Sequence, residues 1–209
     1  MPEGESQVVI RPMEPPDLGA VVAIHLESFP GFFLSFLGPR FLSLLYESLS
    51  ADAEGVVLVA DLHGSTVGFV AGVTSQAGFY RRLLRRRKWA FALAGAGAVL
   101  RRPSIAPRLW RALRRPTEAS QSAADACLMS IAVRPSTEGK GLGRRLVHAF
   151  CEEMRRRGVG AVSLTTDRDH NERVNRFYQQ LGFRLARTFV TPEGRAMNEY
   201  VLALVKDTE

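Results

Sequence analysis

The apolar positions of the chain change period several times, and each change marks an element. Gln7 to Pro12 (QVVIRP) is a short β-rich run, and Pro15-Pro16-Asp17 supplies a turn and an N-cap for a helix through Leu18, Val21, Val22, Ile24 and Leu26. Pro30-Gly31 ends that helix, and Gly38-Pro39 opens a second whose apolar positions Phe41, Leu44, Leu45 and Leu49 keep a period of about 3.6. Gly55 to Leu62 and Thr66 to Thr74 are β-branched runs joined through His63-Gly64, which predicts a hairpin. Farther on, Ala126 to Val133 reads as a strand, Leu142 to Arg157 as a strongly amphipathic helix and Ala161 to Thr166 as a strand. Asn171 to Leu181 is helical and ends on Gly182, and Phe183 to Val190 and Met197 to Val205 are two strands around Pro192-Glu193-Gly194. The order β-α-α-β-β-(insert)-β-α-β-α-β-β predicts a mixed α/β layer architecture, a sheet flanked by helices, in one domain over residues 1–209.

The pattern breaks between the third and fourth strands, where residues 76–122 read as a basic helical insertion. Gly78 to Glu118 holds 12 Lys+Arg against one acid, while the rest of the chain holds 16 against 20, so the net charge of +7 belongs to this segment. Three uses compete: solvated helices shaping a substrate entrance, a peripheral membrane contact through arginines and apolar residues, and a nucleic-acid patch. The first is favoured because Phe79, Leu83 and Leu84, then Leu109, Trp110 and Leu113, fall at helical spacings able to pack on a body; nucleic acid is the least expected partner. The longest apolar run, Trp89 to Leu100, is 12 residues and falls short of the roughly 18 of a spanning helix. The opening MPEGES lacks the basic and apolar regions of a secretory signal, and the cysteines, Cys127 and Cys151, lack CxxC or histidine neighbours. A cytoplasmic location and buried, unpaired thiols are expected, and no metal, since neither HxxxH nor HExxH occurs.

Candidate chemistry concentrates in Ile131 to Arg145 (IAVRPSTEGKGLGRR), where a strand runs through a glycine-rich loop into a helix start. Glycines let a backbone approach a phosphate, unpaired first-turn amides and the helix dipole favour negative charge, and Lys140, Arg144 and Arg145 add cations. A Walker A loop is excluded because no Ser or Thr follows a GK pair, and Gly139-x-Gly141-x-Gly143 has the wrong spacing for a dinucleotide fingerprint.

These residues resemble the GCN5-related N-acetyltransferases (GNAT superfamily), whose acyl-CoA loop Q/R-x-x-G-x-G/A aligns with Glu138-Gly139-Lys140-Gly141-Leu142-Gly143, Glu138 replacing Gln or Arg. Asn171 to Phe183 (NERVNRFYQQLGF) is similar to the family's N-x-x-A-x-x-x-Y-x-x-x-G-F segment, with Val174 at the small position. The resemblance covers Leu128 to about Phe189, and the strand order agrees from Gln7 onward. It implies the GNAT fold, a mixed and mostly antiparallel sheet flanked by helices, and acetyl transfer from acetyl-CoA to an amine without a covalent enzyme intermediate. By that resemblance the backbone at Ile131 and Val133 binds the pantetheine arm. Gly139, Lys140, Gly141, Leu142, Gly143 and Arg144 hold the pyrophosphate, Asn171 contacts the arm, and Tyr178 is the proton donor to the departing thiolate. A capping role for Asn171 and a core role for Tyr178 are the ordinary alternatives.

An amine nucleophile must lose a proton, and Glu27 is the candidate base, with His25, Asp125 and Asp167 behind it. Phe29, Phe32, Phe33 and Phe36 stand where this fold shapes its acceptor pocket, which suits an acceptor with an apolar or stackable face such as an amino sugar, unless they are simply core. The insert would overhang the same region, so that Arg85 and Arg86 attract an anionic acceptor. The expected partner is thus a small-molecule amine, with membrane contact through the insert and homodimerisation through the terminal strands as open expectations. Acetylation of a protein N-terminus or lysine, and a CoA-binding module without turnover, are the competing functions.

Overall fold

The computed structural model describes residues 8–101, 103, 124–137, 139 and 141–204. Among them, seven strands form one sheet: β1 (Val9–Pro12), β2 (Gly55–Leu62), β3 (Ser65–Val73), β4 (Ala126–Val133), β5 (Ala161–Asp167), β6 (Arg184–Val190) and β7 (Ala196–Ala203). Their order is β1-β2-β3-β4-β5-β7-β6, and every neighbouring pair is antiparallel except β4 with β5. The hairpin turn is as expected: His63 (φ 53°) and Gly64 (φ 79°) both lie in the left-handed region, the combination a two-residue turn with the right twist requires.

The sheet buries both faces. Against one face lie α1 (Leu18–Ser28), α2 (Phe33–Leu37), α3 (Pro39–Ala51) and α4 (Gln76–Arg101), which meet Val57, Val59, Phe69 and Ala71 through Ile24, Leu42, Tyr46 and Phe79. Against the other lie α5 (Leu142–Arg156) and α6 (Glu172–Gln180), whose Leu146, Phe150, Met154 and Tyr178 meet Val70, Leu128, Val162 and Leu164. The alternation of Val56 and Val57 between the two cores follows from the two-residue period of a strand.

Two irregularities in β4 prepare the site. Its ladder with β3 slips between Ala71↔Ser130 and Gly72↔Leu128, so Met129 is an extra residue that bends the strand. At the bend a Cβ on Gly72 would lie 2.3 Å from the Cys127 carbonyl oxygen and 2.5 Å from Phe150 Cζ, so only glycine fits. On its other side β4 pairs with β5 only at Ala126↔Val162 and Cys127↔Ser163, and beyond these residues the two parallel strands diverge.

Asp17 departs from its expected task. Its carboxylate closes the one-turn 3-10 helix Pro15–Asp17 by accepting the Glu14 N–H at 2.8 Å and does not cap α1. It also accepts from Arg11 at 2.6 and 2.9 Å and from the Thr66 hydroxyl at 2.9 Å, tying β1 to β3. The Arg11 guanidinium holds its pKa down at about 2. The insert begins with α4, 26 residues in two helical runs that meet at the non-helical Arg87 (φ −131°), the second continuing through Gly95 and Gly97. Leu109, Trp110 and Leu113 lie outside the described residues. The cysteines are free, and burial raises the Cys127 thiol to about 12 and the Cys151 thiol to about 11, which leaves both inert as thiolates.

Candidate functional site

The divergence of β4 from β5 opens a cleft of about 700 Å³. Arg134 donates its backbone N–H to Val67 at 2.8 Å, next to the last ladder pair Gly68↔Val133. Backbone groups in an antiparallel ladder alternate in direction, so Ala132 and Ser130 turn theirs to β3 while Ile131 and Val133 turn theirs toward β5, where no strand among the described residues receives them. Both residues line the cleft. An extended chain carrying amide groups can complete this edge as a strand would.

Past Val133 the chain makes the 3-10 turn Pro135–Thr137 and enters α5 through glycine. Gly139 (φ 80°) and Gly141 (φ 71°) are both left-handed, and a Cβ on either would meet nothing within 4 Å. The requirement there is backbone conformation, with open space above. Gly141 stands at the N-cap without a side-chain cap, so the first-turn amides of α5 keep their hydrogen-bonding capacity for an anion. A Cβ on Gly143 would approach Phe177 to 3.6 Å at the cleft wall. Leu142 contributes only backbone here, since its side chain is buried in the core, and Arg144 is exposed beside the turn. Lys140 and Glu138 lie outside the described residues. The amides behind Gly141, the left-handed glycines and a free strand edge, all within about a dozen residues of chain, fit a pyrophosphate joined to a pantetheine arm.

Tyr178, Asn171 and Val174 of the second motif also line the cleft. Tyr178 is 5% exposed, edge-on to Phe177 and Phe183 at 5.1 and 5.7 Å, and no hydrogen bond reaches its hydroxyl among the described residues. Burial holds its proton above the usual phenol range, so the group is a donor at neutral pH. Asn171 occupies the N-cap position of α6 without capping it; its Nδ2 donates to the Asp167 carbonyl at 3.2 Å. Sequence reasoning passed over Asn175, which is 9% exposed and fixes the helix that carries Tyr178. Its Oδ1 accepts from the Thr166 hydroxyl at 2.6 Å and from Asn198 at 3.3 Å, and its Nδ2 donates to the Asp167 and Asn171 carbonyls at 3.1 and 2.9 Å. The signal in the sequence was a polar residue on the inner face of a short amphipathic helix.

The opposite end of the cleft is built by α1, the segment into α2, and the β6–β7 turn. Phe29, Phe32 and Phe33 line it, while Phe29, Phe33 and Phe36 also pack against the core. Arg195 lies over the Phe32 ring at 5.1 Å and grips Asp167 at 2.7 and 2.6 Å, which joins two distant segments across the mouth. His25 lines the cleft and is 3% exposed, with Nδ1 hydrogen-bonded to the Tyr46 hydroxyl at 2.6 Å and Nε2 buried without a partner. Burial lowers its pKa to about 4, so the imidazole is neutral at physiological pH. Glu27 is about half exposed, 3.8 Å from Arg134, and does not line the cleft; Asp125 is exposed at the start of β4. No residue of α4, Arg85 and Arg86 included, is among the residues that line the cleft.

The model of the acetyltransferase (GNAT) family, a family that uses acetyl-CoA, matches residues 20–183. Mycothiol acetyltransferase of Nocardia farcinica (strain IFM 10152) is 42% identical over 53 residues, 25% of this chain and 17% of that protein. Chloroplastic serotonin N-acetyltransferase 2 of Oryza sativa subsp. japonica is 28% identical over 133 residues, 64% of each chain. The match thus spans about a sixth of the first relative and just under two thirds of the second. In fold, the Salmonella typhimurium protein yncA, solved with its cofactor acetyl-CoA, superposes with a TM-score of 0.59 at 18% identity over 97% of this chain and 96% of that one. With a family model matched across most of its length, the chain belongs to the acetyltransferase (GNAT) family.

Proposed function

We propose that the chain is an acetyl-CoA-dependent N-acetyltransferase that passes the acetyl group directly to a primary amine of a small molecule with an apolar or ring face, amino sugars included. The observation that carries this reading is the free edge of β4 at Ile131 and Val133 together with the glycine N-cap of α5 a few residues on. Acetyl-CoA supplies the activated thioester. Ile131 and Val133 hold the pantetheine arm through backbone groups; Gly139, Lys140, Gly141, Leu142, Gly143 and Arg144 hold the pyrophosphate, with Asn171 alongside the arm.

Tyr178 faces the sulfur in this reading. Its phenol keeps its proton more firmly than free tyrosine, so its contribution is a hydrogen bond to the sulfur as negative charge develops, more than a completed transfer. The amine enters between Phe29, Phe32 and Phe33. His25 offers it an unpaired, neutral ring nitrogen, and a base role for Glu27 requires water to carry the proton, since Glu27 stands outside the cleft wall. The name of one relative adds serotonin, an arylalkylamine, to the amino sugars of the acceptor panel.

Calorimetric titration with acetyl-CoA, desulfo-CoA and ATP tests the cofactor half. Micromolar binding of the first two with ATP far weaker is expected, and no binding overturns the reading. Thiol release over a panel of amino sugars, arylalkylamines, amino-terminal peptides and lysine peptides tests the rest. Turnover confined to the peptides makes the protein a protein acetyltransferase, and binding without turnover on any amine makes it a CoA-binding module.

A further inference from the structure

We infer that the outer face of α4 is a docking surface for an anionic lipid membrane. The helix is 26 residues, about 39 Å long, and contains seven cations and no acid between Gln76 and Arg101. Its two faces treat charge differently. Arg82 reaches inward to Asp52 at 2.7 Å and Glu54 at 2.5 Å, and Arg87 reaches Glu47 at 3.2 Å, so the body supplies their counter-ions. Arg81, Arg85, Arg86 and Lys88 are exposed, and none of the four forms a contact ion pair among the described residues, although Arg86 bears on Asp52 at longer range and Lys88 Nζ stands 5.5 Å from the centre of the Trp89 ring.

The exposed side turns apolar past the bend. Phe91 and Ala98 are buried at 3% and 1%, whereas Trp89, Leu93 and Leu100 are 74%, 77% and 83% exposed. At about 100° per residue the last three fall within about 40° of one another, in one stripe, and the non-helical Arg87 separates that stripe from the exposed cations of the preceding turns. A stripe of a tryptophan and two leucines held open beside unpaired cations matches the boundary between phosphate headgroups and acyl chains. No described helix is long and apolar enough to cross a membrane, so α4 lies along the surface with its inner face still on the protein.

Charge selects this occupant over others. A second copy of the chain, paired through α4 about a two-fold axis, would set four cations against four cations or against Leu93 and Leu100, with no acid on the face to neutralise them. A nucleic acid would neutralise the arginines but leave Leu93 and Leu100 in water.

The test is flotation of the full chain with vesicles of phosphatidylglycerol and phosphatidylcholine, against vesicles of phosphatidylcholine alone, and against duplex DNA and single-stranded RNA by gel shift. Binding to the anionic vesicles alone is expected, weakened at least tenfold by W89S/L93S/L100S and likewise by R81Q/R85Q/R86Q. Both variants should keep the acetyl-CoA affinity and the far-ultraviolet spectrum of the parent, which separates loss of docking from loss of fold. Absence of vesicle binding, or vesicle binding that neither variant weakens, overturns the inference. So does nucleic-acid binding lost only in the arginine variant, which makes the face a nucleic-acid surface. A dimer by sedimentation that W89S/L93S/L100S dissociates overturns it as well.

Discussion

At the β4–α5 end of the cleft the groups offered to a ligand are backbone: the unpaired edge at Ile131 and Val133 and the amides behind Gly141. At the α1–β7 end they are side chains brought from separate elements: His25, Phe29, Phe32, Asp167 and Arg195. A backbone site depends on conformation, so it is fixed by glycine placement and strand register, and its side chains are free to vary. A side-chain site depends on what distant elements place together, so it can be respecified without changing the fold. This division suits an enzyme that keeps one donor and changes its acceptor.

The sharpest test of the division is Tyr178→Phe, which removes one hydroxyl from the junction of the two ends. Its kcat is expected to fall about a hundredfold while the acetyl-CoA Kd stays within twofold, since the ring remains; steady-state rates alongside calorimetry read both. An unchanged kcat would leave Tyr178 as a core aromatic. Next, Gly141→Val forces a β-branched residue into a left-handed conformation and should weaken acetyl-CoA binding about tenfold to a hundredfold. Arg144→Ala in the same turn should weaken it only a few-fold, and the reverse ranking would break the claim that this end is made of backbone.

Asn175→Ala strands the Thr166 hydroxyl and the Asn198 amide in the interior and should cost about 1–3 kcal/mol by urea denaturation. The most gradual effect is a pH slope. His25 titrates near 6.5 in an unfolded chain and at about 4 in the fold, so below pH 6.5 the unfolded state takes up a proton that the folded state refuses. Stability should therefore decline from about pH 6.5 toward 4, by at most about 1.4 kcal/mol per unit, and His25→Gln should flatten that slope. Asp17, held at about 2 by Arg11, loses its contribution in a separate window as pH falls from its ordinary 3.8 toward 2. An unaltered slope in His25→Gln would mean that the imidazole is accessible to solvent protons in the folded state.

The order and type of the elements and the glycine cradle are legible in the residues alone. Hydrophobic period and turn chemistry are local properties, and Gly139, Gly141 and Gly143 announce their conformation where they stand. The sequence also carried Asn171 and Tyr178, because both sit on one short helix at a readable spacing. Only the tertiary structure decided what comes from pairing between remote segments: the parting of β4 from β5 after Cys127, the His25–Tyr46 hydrogen bond, and the Arg195 bridge from Asp167 to Phe32. Asp17 shows the reason in miniature. Its neighbours in sequence predict a cap, but Arg11 and Thr66 present stronger partners across the sheet, and a buried carboxylate turns to the groups that best replace the water it has lost.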